Sequence, residues 1–403
     1  MTEKIKKENI VIVGGGFAGV KAALFLSKYS NFFNITLISE TDNLRYYPLL
    51  YKFATGANQV LVSIPLTKIF QNKKIKIVHG SIASLDRSTK SIHLVDNQTF
   101  NFDKLILALG VVTNYFGIDG IEDYAYSIKS EAEAMKFNRH LHDYLIANHQ
   151  PDDHYVVIGA GPTGIELAAE LPEYLRYLMK IHHLGRHAIK VEIIEALNQL
   201  LPRLPKPYAQ RVSKKLISIG VSLKLNSKVI SQNDSEITVN DQTIKSKTVV
   251  WTAGVANHPF YKANNFLITQ HGKIACDIFL QAEDNIFIAG DNANTPFSGL
   301  AQTALHDGRF IAENIVRNHF GYQMKAYKPK NIITVIPVGP KFSAVLWGKK
   351  KFYGFYGSVM RHLADIDGYM NVLPWYSALA LWLKYFHRRP QTCPICQSTN
   401  GQN

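Results

Sequence analysis

Cysteine is scarce in this 403-residue chain: there are three, and none precedes position 276. Three thiols cannot build a disulfide framework, and so low a count fits a reducing compartment. Long apolar runs are missing as well. No stretch of about 20 consecutive apolar residues exists, so a transmembrane helix is not expected. The opening "MTEKIKKENIVIVGGG" lacks the cleavage pattern of a secretory signal and runs straight into a strand-like segment. Acidic charge is also short. Lys and Arg total 45 against 31 Asp and Glu, a net charge of +14. The excess is uneven: from Lys325 onward there are 11 basic residues and only Asp365 and Asp367 opposing them. Such a basic end fits either a solvated face or contact with an anionic surface, lipid headgroups or nucleic acid. Hydrophobic residues still make up 46% of the chain, enough for the cores of two or three globular domains.

What is present begins at residue 9. "NIVIV" reads as a buried parallel strand, and "GGGFAGV" follows it with Gly14, Gly16 and Gly19 spaced as G-x-G-x-x-G. The first glycine permits the tight turn. The second lets the backbone approach a pyrophosphate, and the third lets helix and strand pack closely. The pyrophosphate then sits at a helix N-terminus, where unpaired N–H groups and the macrodipole favour an anion. A second strand, "NITLISE", ends on Glu40, 21 residues past Gly19, where an acid can bind a ribose hydroxyl.

The pattern recurs in "HYVVIGAGPTGIELAAEL", with Gly159, Gly161 and Gly164 and a following strand that ends on Glu195. An acid at that position favours NADH over NADPH, because it repels a 2′-phosphate. Glu166 lies in the first turns of the helix. It can face the nicotinamide side, or it can simply be an acid favoured by the helix dipole. Two dinucleotide folds imply two dinucleotides, and a flavin with a nicotinamide is the economical pair because hydride passes between them. A third piece, "DNIFIAGDNANT", is a short strand ending in Gly290-Asp291, suited to return to the first sheet and meet the ribityl and phosphate part of a flavin. The next segment, "SGLAQTALHDGRFIAENIVRNHF", reads as a helix with Ser298 as a candidate N-cap.

This order of parts resembles the two-dinucleotide-binding flavoproteins, and within them type II NADH:quinone oxidoreductase. "NLRYYPLLYKFATG" at 43–56 is similar to that family's Pro-Leu-Leu-Tyr segment. "FDKLILALGVVTNYFGIDG" at 102–120 is similar to the segment closing its first flavin half, and "VVWTAGV" at 249–255 to its nicotinamide-domain strand. "AQTALH" at 301–306 lies where the family carries an Ala-Gln-x-Ala-x-Gln quinone motif. The resemblance spans roughly residues 8–390. The nucleotide loops are shared with many enzymes, whereas the 43–56 stretch, the 301–306 motif and the C-terminal segment discriminate. The last Gln of the motif is His306 here, which can hydrogen-bond a quinone carbonyl and supply a proton, or be a satisfied packed histidine.

Disulfide reductases and sulfide:quinone oxidoreductases of this architecture need cysteines beside the flavin, and this chain offers none in an evident place. The tail carries a C-x-x-C, Cys393 and Cys396. It can serve as two of four zinc ligands, completed by a second tail in a dimer or by His387, or it can be a polar end; the main function requires no metal. Before it, 349–370 places Phe352, Phe355, Val359, Leu363 and Ile366 on one helical arc. In 374–389, Trp375, Leu379, Trp382 and Phe386 form a stripe opposite Ser377, Lys384 and Arg388. Tryptophan-bearing amphipathic helices beside Lys349–Lys351 and Arg388–Arg389 fit a helix lying in a membrane interface; a face docked on the protein's own core is the alternative. Nucleic acid is disfavoured, since the aromatics are segregated rather than interleaved.

The expectation is therefore an α/β protein with two Rossmann-like domains. An FAD domain (1–120 and 271–330) is split by an inserted NADH domain (121–270), followed by a membrane-anchoring region (331–390) and a tail (391–403). The FAD set is Gly14, Gly16, Phe17, Ala18, Gly19, Glu40, Ile82, Ala108, Gly110, Gly290, Asp291, Ala301 and Gln302. The NADH set is Gly159, Gly161, Thr163, Gly164, Glu195, Ala253 and Gly254. The resemblance implies NADH oxidation with transfer to a membrane quinone without proton pumping. The protein would sit peripherally on the cytoplasmic side of the membrane, with a homodimer compatible. Glu166, Gln302 and His306 are the catalytic candidates, and His306 leads Glu166 as proton donor. A related flavin reductase with another acceptor and a flavin-binding membrane sensor remain as alternatives.

Overall fold

The computed structural model describes residues 6–384 and 395–396. Its first layer is a six-stranded sheet. Glu8–Val13 pairs in parallel with Phe33–Ser39 on one side and Lys104–Leu107 on the other; Lys76–His79 and Ile286–Ile288 extend it in parallel, and the antiparallel strand Gln281–Glu283 forms one edge. The apolar runs behind these strands are continuous because both faces are covered. Ile10 and Ile12 join one core cluster while Val11 and Val13 join another. The second unit repeats the logic in a four-stranded parallel sheet of Val221–Lys224, Val191–Ile194, Tyr155–Ile158 and Thr248–Trp251. There too, Tyr155 and Val157 face one core while Val156 and Ile158 face the other.

The chain leaves the first sheet after Leu107, builds the second unit, and returns through Ile286–Ile288, so the first domain is discontinuous. The outward and return crossings pair with each other: Val111–Thr113 lies antiparallel to Val255–Asn257. The returning strand feeds the helix Ala301–His319, which packs along the first nucleotide helix, Phe17–Leu26. Gly308 makes that approach possible, because a Cβ there would lie 2.1 Å from the carbonyl oxygen of Ala18.

The C-terminal region comprises a three-stranded antiparallel sheet (Ile333–Pro337, Ser343–Trp347, Lys350–Phe352) and two helices, Phe355–Met370 and Trp375–Lys384. The 349–370 stretch is thus not one helix. Phe352 belongs to a hairpin, and Gly354, at φ +70°, breaks the chain before the helix starts. A buried polar network docks this helix on the 43–66 segment. Tyr369 stacks on Tyr46 with centroids 4.3 Å apart. The Arg361 guanidinium donates to the Pro48 carbonyl at 2.7 Å and to Asp365 Oδ2 at 3.0 Å. Among the described residues no helix is long and apolar enough to cross a membrane.

The amphipathic faces only partly follow the sequence pattern. Phe355, Val359 and Leu363 are exposed as expected. In the last helix the exposed face is Trp375, Tyr376, Leu379 and Leu383, while Trp382 turns inward and donates its indole N–H to the His362 carbonyl at 3.0 Å. The stripe containing Trp382 is therefore rotated, because that indole finds a buried acceptor on the preceding helix. Phe386, His387, Arg388, Arg389 and Cys393 lie outside the described residues.

Candidate functional site

One cavity runs along the C-terminal ends of the first sheet, the place where open α/β sheets bind ligands. Its walls come from three distant parts of the chain: the first glycine loop with Glu40, the segment Ala108–Val111, and Ala289–Asp291 with Gly299, Ala301 and Ala304. Of the residues assigned to a flavin from sequence, Gly14, Gly16, Phe17, Ala18, Glu40, Ile82, Ala108, Gly110, Gly290, Asp291 and Ala301 all line it. Gly19 and Gln302 do not.

The loop geometry explains the glycines. Gly14 has φ +120°, and a Cβ there would lie 2.1 Å from the Ala108 carbonyl oxygen, so the loop can close on the neighbouring strand only with glycine. Gly16 has nothing within 4 Å of its hypothetical Cβ; its open side leaves room for a ligand to reach the backbone. Gly19 is a packing glycine, since its Cβ would sit 2.0 Å from the Gly14 carbonyl oxygen.

The helix beyond Gly290-Asp291 begins at Ala301 rather than after Ser298. Leu300 precedes it, and no side chain caps it. Ser298 is thus not the N-cap: its N–H closes a turn onto the Thr295 carbonyl at 3.4 Å, and Gly299, at φ +96°, turns the chain before the helix starts. Helix-start N–H groups left without a side-chain cap beside a cavity are suited to an anionic partner. Asp307, fully buried one turn deeper, steadies this junction. Its Oδ2 accepts from the Gly290 N–H at 3.1 Å, and its Oδ1 accepts from the Tyr327 hydroxyl at 2.7 Å. Burial pushes its carboxyl up to about 7, against the pull of those two donors.

The second glycine loop has the same internal geometry. Gly159 has φ +99° and closes on Ala253, Gly161 is open, and a Cβ at Gly164 would lie 2.0 Å from the Gly159 carbonyl oxygen. Glu195 accepts from the backbone N–H groups of Ala160 at 2.8 Å and Leu197 at 3.0 Å. Carboxylate oxygens hold further lone pairs, so this fixed acid can still accept a ribose hydroxyl. Gly254 lies against the Asn114 backbone, where a Cβ would be 2.4 Å from its carbonyl oxygen. Thr163 alone of the second set reaches the cavity of the first.

The three catalytic candidates sit apart from the cavity lining. Gln302 is exposed and donates to the Ile333 carbonyl at 3.1 Å while accepting from the Ile333 N–H at 3.4 Å, tying the helix to the C-terminal sheet. His306 donates its Nε2–H to the Lys328 carbonyl at 2.9 Å and lies beside Tyr327. Glu166 is buried under the C-terminal region. Its Oε1 lies 3.6 Å from the Arg361 guanidinium, and burial pushes its carboxyl up to about 8 despite that cation. Tyr51, Lys52, Arg361 and His362 line a small cleft with it.

Lys129, Arg45 and His258 also line the cavity, and none is marked by a motif. Burial lowers the Lys129 ammonium and Asp291 opposes that shift. Asp307 stands within the segment "LHDG", and its burial against Gly290 and Tyr327 carries no mark in the sequence. Cys276 is not in the cavity lining. Its thiol donates to the Ile274 carbonyl, and burial pushes it up to about 12, which keeps it from acting as a thiolate.

The chain was compared with known proteins. It is 25% identical to the type II NADH:quinone oxidoreductase of Staphylococcus aureus strain MSSA476, across 89% of this chain and 94% of that protein. In fold it is similar to NDH2 from Plasmodium falciparum solved in complex with NADH, with a TM-score of 0.83 and 18% identity, across 96% of this chain and all of that one. It is also similar to the sulfide:quinone oxidoreductase of Aquifex aeolicus, with a TM-score of 0.76 and 17% identity, across 94% and 90%. Residues 8–308 match the model of the pyridine nucleotide-disulphide oxidoreductases, which covers both glycine loops and the returning strand and helix, and the chain belongs to that family.

Proposed function

We propose that the cavity holds FAD, that the second glycine loop takes NADH, and that the protein oxidises NADH and passes the electrons to a membrane quinone without pumping protons. The observation that carries this reading is Thr163: it starts the second nucleotide helix yet lines the first cavity, so the two nucleotide sites converge on one space. The relatives that span nearly the whole chain, named as type II NADH:quinone oxidoreductases, support the donor and acceptor. The flavin, when bound, supplies the chemistry that takes up a hydride and releases electrons to an acceptor.

The chain's own residues bind and orient. Glu40 and Glu195 are placed for ribose hydroxyls, and the glycine loops for pyrophosphates. The open start of the Ala301–His319 helix puts a positive dipole end toward the cavity, where it stabilises negative charge. Gln302 and His306 continue that helix outward toward Ile333 and Lys328, the C-terminal side from which a quinone would enter. Glu166, held protonated by burial to about pH 8, can store a proton beneath the same region. The exposed Phe355, Tyr356 and Val359, with Trp375, Tyr376 and Leu379 on the next helix, form the face that would lie in the lipid interface beside Lys349–Lys351, on the cytoplasmic side.

The test is NADH oxidation by the full chain on anionic liposomes with and without a quinone. Strong quinone stimulation is expected; oxidation that ignores added quinone would refute the acceptor. His306→Gln should keep flavin reduction by NADH and alter the quinone step, and an unchanged quinone step removes His306 from the mechanism. Replacing Trp375, Leu379 and Leu383 together with Glu should release the protein from liposomes.

A further inference from the structure

Neither His142 nor His182 lines the cavity. His142 is on the helix Glu131–Asn148, and His182 directly follows Pro162–Ile181. Their rings are 5.1 Å apart. Cys396, 254 residues beyond His142, places its Sγ 3.3 Å from His142 Nε2. One donor atom from each of the three residues falls within a common span of 4.8 Å.

The spacing accommodates a metal, and two details favour one over a plain thiol–imidazole contact. Zinc bonds of about 2.3 Å to sulfur and about 2.0 Å to nitrogen place a tetrahedral S and N pair about 3.5 Å apart. The observed 3.3 Å accommodates that spacing and equally suits a thiol–imidazole hydrogen bond, so the two ring nitrogens decide. His142 Nδ1 lies 2.8 Å from Asp143 Oδ1, so its N–H is held by a carboxylate and Nε2 presents its lone pair toward Cys396. His182 Nε2 is buried and has no hydrogen-bond partner among the described residues. A buried nitrogen of this kind is costly unless something binds it. The sequence offers a fourth donor in Cys393, three residues before Cys396 in a C-x-x-C; it lies outside the described residues.

We propose that His142, His182 and Cys396 form a structural zinc site that clasps the C-terminal tail onto the second nucleotide unit. On binding, the Cys396 thiol gives up its proton to solvent and its thiolate joins two neutral imidazoles on the ion, with no change of oxidation state. The clasp has a mechanical consequence. The helix Trp375–Lys384 is fixed on one side through Trp382 to His362, and Cys396 beyond it meets the Glu131–Asn148 helix. The exposed apolar face of the helix Trp375–Lys384 would thereby be tethered at its C-terminal end.

The experiment uses tag-free full-length protein and metal analysis, with thermal unfolding as the control for folding. About one zinc per chain is expected. His182→Ala and Cys396→Ser should each fall below about a fifth of that while unfolding cooperatively. Cobalt(II) added to chelated protein should give the strong visible bands of a tetrahedral site and a thiolate charge-transfer band, and both variants should lose the latter. Limited proteolysis should release the tail faster after chelation. Three results overturn the proposal: protein without zinc that gives no cobalt bands; about half a zinc per chain, the mark of two tails sharing an ion; or full metal content in both His182→Ala and Cys396→Ser.

Discussion

Gly19 and Gly164 meet the same constraint. A Cβ at either would lie 2.0 Å from the carbonyl oxygen of its loop's first glycine, Gly14 or Gly159. Their surroundings differ. The first loop opens into a cavity closed by Lys129, Ala289–Asp291 and the start of the Ala301–His319 helix, all contributed by later parts of the chain. The second loop lends that cavity only Thr163, and its acid Glu195 is already fixed on the loop's own backbone. The same motif can thus serve a resident group or an exchanging one, and what decides is how much of the remaining chain folds over it.

The sharpest way to break the comparison is to place the same clash in each loop. Gly19→Ala should abolish flavin retention, so that the protein purifies colourless. Gly164→Ala should keep its flavin but lose reduction by NADH by about a hundredfold, equivalent to about 2.7 kcal/mol. Flavin absorbance and stopped-flow reduction read the two effects. If Gly164→Ala also purifies without flavin, the loops are not separable in the way their surroundings imply.

A smaller effect should come from the acid. Glu195→Ala removes the anchor of the Ala160 N–H and, on the proposed function, a ribose acceptor. It should raise KM for NADH about tenfold, or about 1.4 kcal/mol, with little change in kcat. Glu195→Arg should shift preference toward NADPH, and unaltered preference in competition assays would separate Glu195 from the ribose.

How far these features could be read from residues alone follows the range of the forces involved. Strand, glycine loop, helix and terminal acid are local, and both units were legible together with eleven residues of the cavity wall. Gly308 was not, because its role depends on two helices separated by some 280 residues of sequence, and Asp307 was not, because its partners Gly290 and Tyr327 lie outside its own helix. The Ser298 cap failed for a related reason: the helix start faces a cavity, and a local capping rule assumes it must satisfy itself. Trp382 was misplaced because an apolar period reports that a side chain is buried or exposed in alternation, but not which neighbour holds an acceptor. Lys129 carries no motif at all and becomes visible only when the Ile286–Ile288 strand returns beside the first sheet.

Asp307 gives an effect on stability rather than on turnover and sharpens the role of the returning segment. Its folded pKa is raised from 3.8 to about 7. The stability this group contributes is therefore full below pH 3.8 and is lost as pH rises through about 7. Relative to Asp307→Asn, the wild type should lose about 1–3 kcal/mol across that window, measured by thermal unfolding at a series of pH values. Parallel pH profiles in the two proteins would show that the carboxyl does not titrate there.

The most direct test of two converging sites is an anaerobic double-mixing experiment. The full chain with its flavin is reduced by NADH, then mixed separately with a quinone and with oxygen while the flavin absorbance is followed. The account predicts bleaching by NADH on a timescale faster than seconds and re-oxidation by quinone much faster than by oxygen. Flavin that bleaches more slowly than seconds, or that returns at the same rate with either acceptor, would contradict it.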